Sequence, residues 1–260
     1  MVDKNILLDV ERVYLSFGGI LAIAGVSFKV YKGEIFSIIG PNGAGKTSIL
    51  NTITGIYFPD RGKITYKGRD ITKVPVHKRS TFGLVRTFQN LELFKRMTVL
   101  DNLMLSRHNF LNYGLLSSIL YFGKALKEEV KHREKVEEVI DFLNLSKYRK
   151  KFVYELSYGV QKRVELARAL CLEPELILLD EPMAGMNSEE TEDMARYVID
   201  INEEKGVTVI LIEHDMNVVM DLSNRVMALE FGEKICEGIP ETVAQDKRVV
   251  AAYLGEEKWI

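Results

Sequence analysis

The sequence predicts an α/β fold with a parallel-sheet core, antiparallel β structure ahead of it, and a helix-rich stretch set between strands of the core. Three observations lead there. The octapeptide Gly40-Pro41-Asn42-Gly43-Ala44-Gly45-Lys46-Thr47 follows the apolar run Ile35-Phe36-Ser37-Ile38-Ile39 and leads into Ser48-Ile49-Leu50-Asn51-Thr52-Ile53-Thr54, which Gly55 stops. That order reads as strand, glycine loop, helix. Two further runs, Leu176-Ile177-Leu178-Leu179 and Val207-Thr208-Val209-Ile210-Leu211-Ile212, are apolar without alternation, as strands are in the middle of a parallel sheet covered on both faces. By contrast, Val26, Phe28 and Val30 alternate with Ser27, Lys29 and Tyr31 ahead of Lys32-Gly33, the period-2 pattern of a half-buried antiparallel strand.

Composition sets the outer limits. The 260 residues, 47% of them hydrophobic, suffice for one large domain with its own core. A formal net charge of -2 offers no basic field for nucleic acid. Cys171 and Cys236 stand far apart without metal-ligand spacing, which fits a reducing compartment and two small buried hydrophobes. The start Met1-Val2-Asp3-Lys4-Asn5 lacks the signature of a secretory signal, and no run approaches the ~18 apolar residues of a membrane-spanning helix. Any membrane role is therefore expected to be peripheral.

In chain order, residues 6 to 36 read as strands, with Tyr14-Leu15-Ser16-Phe17-Gly18-Gly19 placing an aromatic beside a glycine turn. Phe17 has two open readings, a core residue or a platform for a flat ring. The octapeptide matches the P-loop pattern G-x-x-x-x-G-K-[ST]. Glycines let successive backbone N–H groups point inward, and the helix behind adds its positive dipole end, so the loop is shaped for a triphosphate. Lys46 reaches the β- and γ-phosphates in such a loop, and the Thr47 hydroxyl coordinates the Mg²⁺ that bridges them.

Pro59-Asp60-Arg61-Gly62 marks a turn before the short strand Lys63-Ile64-Thr65-Tyr66, and Gln89 closes the apolar segment that begins at Gly83. From about 98 to 151 the pattern is helical. Val136, Val139, Ile140 and Leu143 share one face, opposite Glu134, Lys135, Glu137, Glu138 and Asp141. The apolar stretch 114–122 reads as a core helix or a docking surface. Ser157 and Gly159 open a further helix in which Val160, Val164, Ala167 and Cys171 share a face, either a plain N-cap or a second anion site.

The run from Leu176 ends in Asp180-Glu181-Pro182, and the run from Val207 ends in Glu213-His214-Asp215. In parallel sheets ligands sit beyond the carboxyl ends of the strands, so all three groups are expected beside the P-loop. Asp180 is then placed to hold Mg²⁺, Glu181 to orient or deprotonate a water that attacks the γ-phosphate, and His214 to touch that phosphate or the water. Between these strands a helix is expected with Asn187 or Ser188 as N-cap, Gly206 at its end, and Met194, Tyr197, Val198 and Ile201 as its buried stripe. Strands near 225–229 and 233–237 and a short terminal helix complete the chain.

The ordered set of P-loop, Gln89, Leu156-Ser157-Tyr158-Gly159, the 176–181 strand and His214 resembles the ATP-binding subunit of ABC transporters over essentially the whole chain. The resemblance implies a P-loop NTPase of RecA-like architecture, with core and antiparallel β subdomain over about 1–89 and 160–260 and a helical subdomain over about 90–159. It implies ATP and Mg²⁺ as ligands, Phe17 as the residue that stacks on the base, residues Gly40 to Ser48 as the phosphate loop, and Thr47, Gln89 and Asp180 at the metal. Ser157, Tyr158 and Gly159 then meet the γ-phosphate held by a second cassette, identical or paralogous, so that two chains sandwich two ATP molecules.

Three positions depart from the family's usual wording. The signature Leu-Ser-Gly-Gly-Gln carries Tyr158 and Val160 here, and the Asp usual before the next helix is Asn187. Tyr158, Ala184-Gly185-Met186-Asn187, the stretch Thr87-Phe88-Gln89-Asn90-Leu91-Glu92-Leu93-Phe94 and the ending Ala252-Tyr253-Leu254-Gly255-Glu256 look like the LivG-type ATPases of branched-chain amino acid importers. That likeness implies permease subunits, a separate substrate-binding protein and a seat on the cytoplasmic face of the membrane. Relatives serving urea uptake or lipopolysaccharide export have similar sequences. A soluble nucleotide switch outside transport is the rival of another class; such relatives carry paired cassettes or a long coiled coil, and this chain has one cassette and no long heptad run.

Overall fold

The computed structural model describes residues 5–87, 92–107 and 124–254. Among these, ten strands form two sheets. The first sheet has the order β2-β1-β4-β5, from β1 (Ile6–Phe17), β2 (Ile20–Tyr31), β4 (Arg61–Tyr66) and β5 (Arg69–Asp70). All its pairs are antiparallel. The predicted alternation holds in β2, where Val26, Phe28 and Val30 are buried and Lys29 is exposed.

The second sheet has the order β10-β9-β3-β8-β7-β6. Its members are β3 (Ile35–Ile39), β6 (Leu84–Arg86), β7 (Leu176–Asp180), β8 (Thr208–Ile212), β9 (Arg225–Glu230) and β10 (Glu233–Gly238). Every pair from β9 to β6 is parallel, and only β10 runs the other way. Each residue of β3, β7 and β8 is buried, as their continuous apolar runs require. This is the α/β architecture expected, a parallel core with an antiparallel β sheet and helices around them.

The chain divides into two compact units. The first comprises Met1–Arg86 and Glu175–Ile260 and holds both sheets. Its helices are α1 (Lys46–Thr54), α2 (Val76–Ser80), α6 (Ser188–Glu203), α7 (Met216–Leu222), α8 (Pro240–Ala244) and α9 (Lys247–Leu254). Helix α6 starts at Asn187, whose side chain accepts the Glu190 N–H at 2.9 Å, and buries Met194, Tyr197, Val198 and Ile201 as the sequence pattern requires. The sheet's outer part at β9 and β3 packs on a cluster of Ile39, Val219, Val226, Ala228, Val243 and Val249, with Ile235 and Tyr253 against it.

The second unit, Thr87–Pro174, is helical, with α3 (Val99–Ser106), α4 (Lys124–Phe142) and α5 (Tyr158–Leu170). Val136 and Ile140 of α4 and Leu143 just past its end are fully buried, and Val139 is only half-buried. Arg107, buried at the end of α3, donates to the Cys171 carbonyl and Glu173 Oε1, each at 2.7 Å, and to His132 Nδ1 of α4. One guanidinium thus ties three segments. Cys171 is buried as expected, whereas Cys236 on β10 is half-exposed because its strand lies at the sheet edge. Among the described residues no helix is long and apolar enough to cross a membrane.

Candidate functional site

The parallel strands β3, β7 and β8 end on one edge of the sheet, and each is followed there by residues the sequence had marked. Past β3 the chain enters the glycine loop. Gly40, Gly43 and Gly45 take positive φ of +149°, +80° and +100°, a region that costs a non-glycine residue of order 1 to 2 kcal/mol. Space forbids a side chain as firmly. A Cβ on Gly40 would lie 2.2 Å from the Leu229 carbonyl oxygen, and one on Gly45 2.6 Å from that of Ala22. Gly45 is the N-cap of α1 and offers no side chain to its first turn, the end of a helix that favours an anion.

Lys46 is buried, and its Nζ donates to the carbonyls of Gly40 at 2.6 Å and Pro41 at 3.0 Å. The ammonium therefore lies curled over the loop, where phosphate oxygens can compete for it. Thr47 is exposed at the helix start, and Asn42 and Gly43 are exposed on the loop. Phe17, 44% exposed, meets Tyr57 edge-on with ring centroids 4.9 Å apart. One ring face is thereby held in a fixed direction at the surface.

Beyond β7, Asp180 is 1% exposed and paired through Oδ2 with Arg86 at 2.6 Å. Its Oδ1 is buried and has no hydrogen-bond partner. An orphaned carboxylate oxygen at this place suits a hard cation, which takes oxygen ligands. Arg86 also donates to Asn51 Oδ1 of α1 at 2.5 Å, so the acid is linked to the loop's own helix. Glu181 follows with φ +50°, a left-handed turn for a bulky side chain, and its N–H donates to the Ile212 carbonyl at 2.9 Å. The turn throws its carboxylate toward His214 past the end of β8, Nε2 to Oε1 at 2.6 Å. A carboxylate only accepts, so Nε2 carries the proton.

The structure thus brings together Asp180, Glu181 and His214 at the strand ends beside the loop. It also shows what the sequence reading passed over. Glu213 is buried and accepts the Met183 N–H at 2.9 Å and the His214 N–H at 3.3 Å. Burial raises its carboxyl above the ordinary value against the pull of those two bonds. It cross-ties the turns that carry Glu181 and His214. Arg86 and Asn51 were missed as well; a basic residue closing an apolar strand on the same edge as Asp180 was the available signal.

In the helical unit, Ser157 is the exposed N-cap of α5 and makes no side-chain bond to its own helix. Tyr158 is exposed in the first turn and Gly159 is buried behind it. Gln89 lies outside the described residues, as does the whole apolar stretch 114–122 together with Phe88, Asn90 and Leu91.

Comparison with known proteins agrees with this geometry. The family model for ABC transporters matches residues 23–184, and that for branched-chain amino acid ATP-binding cassette transporters matches residues 233–258. The high-affinity branched-chain amino acid transport ATP-binding protein BraF of Pseudomonas aeruginosa is 39% identical over 96% of this chain and 98% of its own length. The corresponding protein LivG of Salmonella typhimurium is 37% identical over the same shares. A solved ATP-binding cassette of an ABC transporter in its ADP conformation superposes with a TM-score of 0.84 at 35% identity, covering 96% of this chain and 99% of the other. On these matches over most of its length, the protein belongs to the ABC transporter family as an ATP-hydrolysing ATP-binding cassette.

Proposed function

We propose that the chain is the motor subunit of an importer for branched-chain amino acids. The substrate reading is supported by the family match over residues 233–258 and by the names of the relatives. The chain then works on the cytoplasmic face of the membrane, against permease subunits, with a separate substrate-binding protein delivering the solute. The observation that carries the motor reading is the Glu181–His214 hydrogen bond at the ends of β7 and β8, since a carboxylate so held has the chemistry of a base for a water attacking a γ-phosphate.

In this reading Phe17 stacks on the adenine while the N–H groups of residues 40 to 48 cradle the phosphates. Lys46 leaves the Gly40 and Pro41 carbonyls for the β- and γ-phosphates. Thr47, Asp180 and Gln89 hold Mg²⁺, whose chemistry there is to neutralise charge that gathers on the phosphate oxygens. Glu181 takes the proton of the attacking water, and His214 keeps that carboxylate aimed. Ser157, Tyr158 and Gly159 serve the nucleotide of a second cassette, so hydrolysis needs the dimer.

The test is Glu181→Gln examined by size-exclusion chromatography with light scattering, with and without ATP and Mg²⁺. The amide cannot take the proton, so a nucleotide-dependent dimer accumulates and turnover falls by about 10²-fold or more. A variant that binds ATP yet stays monomeric at high concentration rules out pairing of identical chains.

A further inference from the structure

Beyond those roles, one residue of the C-terminal helix reaches the glycine loop itself. The ladder of β3 ends with Ile38 opposite Ile212 and Ile39 opposite Ala228, so the N–H of Gly40 lies past the last strand pairing. A backbone donor in a packed place needs a partner. The Tyr253 hydroxyl supplies it, accepting the Gly40 N–H at 2.7 Å across 213 residues of sequence. The other side of the same residue holds the lysine, because the Gly40 carbonyl accepts Lys46 Nζ at 2.6 Å. Leu229 closes the remaining approach, with its carbonyl where a Gly40 side chain would be.

We propose that Tyr253 is a positioning residue for nucleotide binding, fixing the first peptide of the loop from helix α9. This rests on the reading of residues 40 to 48 as the phosphate loop. Glycine has the widest backbone freedom of any residue, and Gly40 stands at the hinge between strand and loop. Without the phenol oxygen, Gly40 loses the tie on its N–H and keeps the one from its carbonyl to the lysine, which must depart when phosphate arrives. The loop then has to be ordered by the ligand, and affinity falls by the entropy of that ordering. The Tyr253 ring packs on the cluster of Ile39 and Val249. Phenylalanine keeps that packing and removes only the oxygen.

The experiment uses the full chain with Tyr253→Phe, titrated with a fluorescent ATP analogue and with ADP. Dissociation constants rise about three- to tenfold, the worth of one hydrogen bond. The melting temperature of the ligand-free protein falls by no more than about 4 °C, the cost of one hydrogen bond in a chain of this length. Unchanged affinity overturns the proposal, and so does a drop in ligand-free melting temperature well beyond that, which makes the affinity loss one of folding. Lys46→Ala is measured alongside. If it binds nucleotide like wild type, the phosphate-loop reading fails and takes this inference with it. If it loses binding while Tyr253→Phe does not, this inference alone fails. Amide exchange in the wild-type protein is a second readout that needs no variant. The Gly40 amide is protected, and exchange at the rate of an open loop overturns the proposal.

Discussion

Asp180 shows how one buried residue can answer two demands. Its Oδ2 neutralises Arg86 and its Oδ1 stays without a partner. Removing the guanidinium leaves a carboxylate buried alone, which costs about 3 to 5 kcal/mol. Arg86→Met therefore melts well below wild type in the absence of ligand. Because the carboxylate it exposes is the proposed metal ligand, MgATP raises the melting temperature of the variant more than that of wild type. Equal shifts in differential scanning fluorimetry sink the link between Arg86 and the metal site. Asp180, Glu181 and His214 could be read from sequence because each ends an apolar run, and a strand fixes where its end lies. Arg86, Glu213 and Tyr253 could not. Their partners are set by strand register and by where a terminal helix packs, and neither leaves a local pattern.

At the scale of elements, helix α1 depends on a cation at its far end. Arg79 is 1% exposed and donates to the carbonyls of Thr52 and Ile53 in the last turn of α1, and to those of Thr72 and Val74. These are helix-end acceptors at the negative pole of the dipole. Burial brings its pKa down to about 10, which still leaves it charged at neutral pH. Arg79→Ala strands those carbonyls and costs about 3 kcal/mol or more in urea unfolding, whereas Arg79→Lys keeps the charge and about half of the loss is recovered. Helix α6 gives a smaller effect of the same kind. Asn187→Ala removes the side-chain acceptor of the Glu190 N–H and costs about 1 kcal/mol, and Asn187→Asp leaves the cap in place. The α6 cap and its buried stripe were legible because both are local in sequence. The Arg79 contacts were not, since β4 and β5 separate α1 from α2 in the chain.

For the whole molecule the question is how the folded units open, and Cys171 reports it. The thiol is 1% exposed at the end of α5, and burial pushes its pKa up to about 12. The thiolate is the nucleophile. At pH 8 a thiol with that pKa is ionised to only about 1 part in 10⁴, so iodoacetamide must find it in an opened chain, where the thiol titrates near 8.5. The sign follows from linkage. The fold disfavours the thiolate, so above about pH 8.5 this group subtracts close to 1.4 kcal/mol of stability per pH unit until the folded value is reached. The population of opened thiolate then grows tenfold per unit between pH 7.5 and 9.5 as long as the native state dominates. Labelling of Cys171, followed by mass spectrometry, climbs over that range without levelling. In urea it appears together with the loss of helical circular dichroism. An exposed thiol behaves differently, bending over above its pKa near 8.5 and levelling off by about pH 10, once it is almost fully ionised. A plateau at Cys171 would therefore show that it reacts from the folded unit, and that the Arg107 tie between α3, α4 and the end of α5 opens without unfolding.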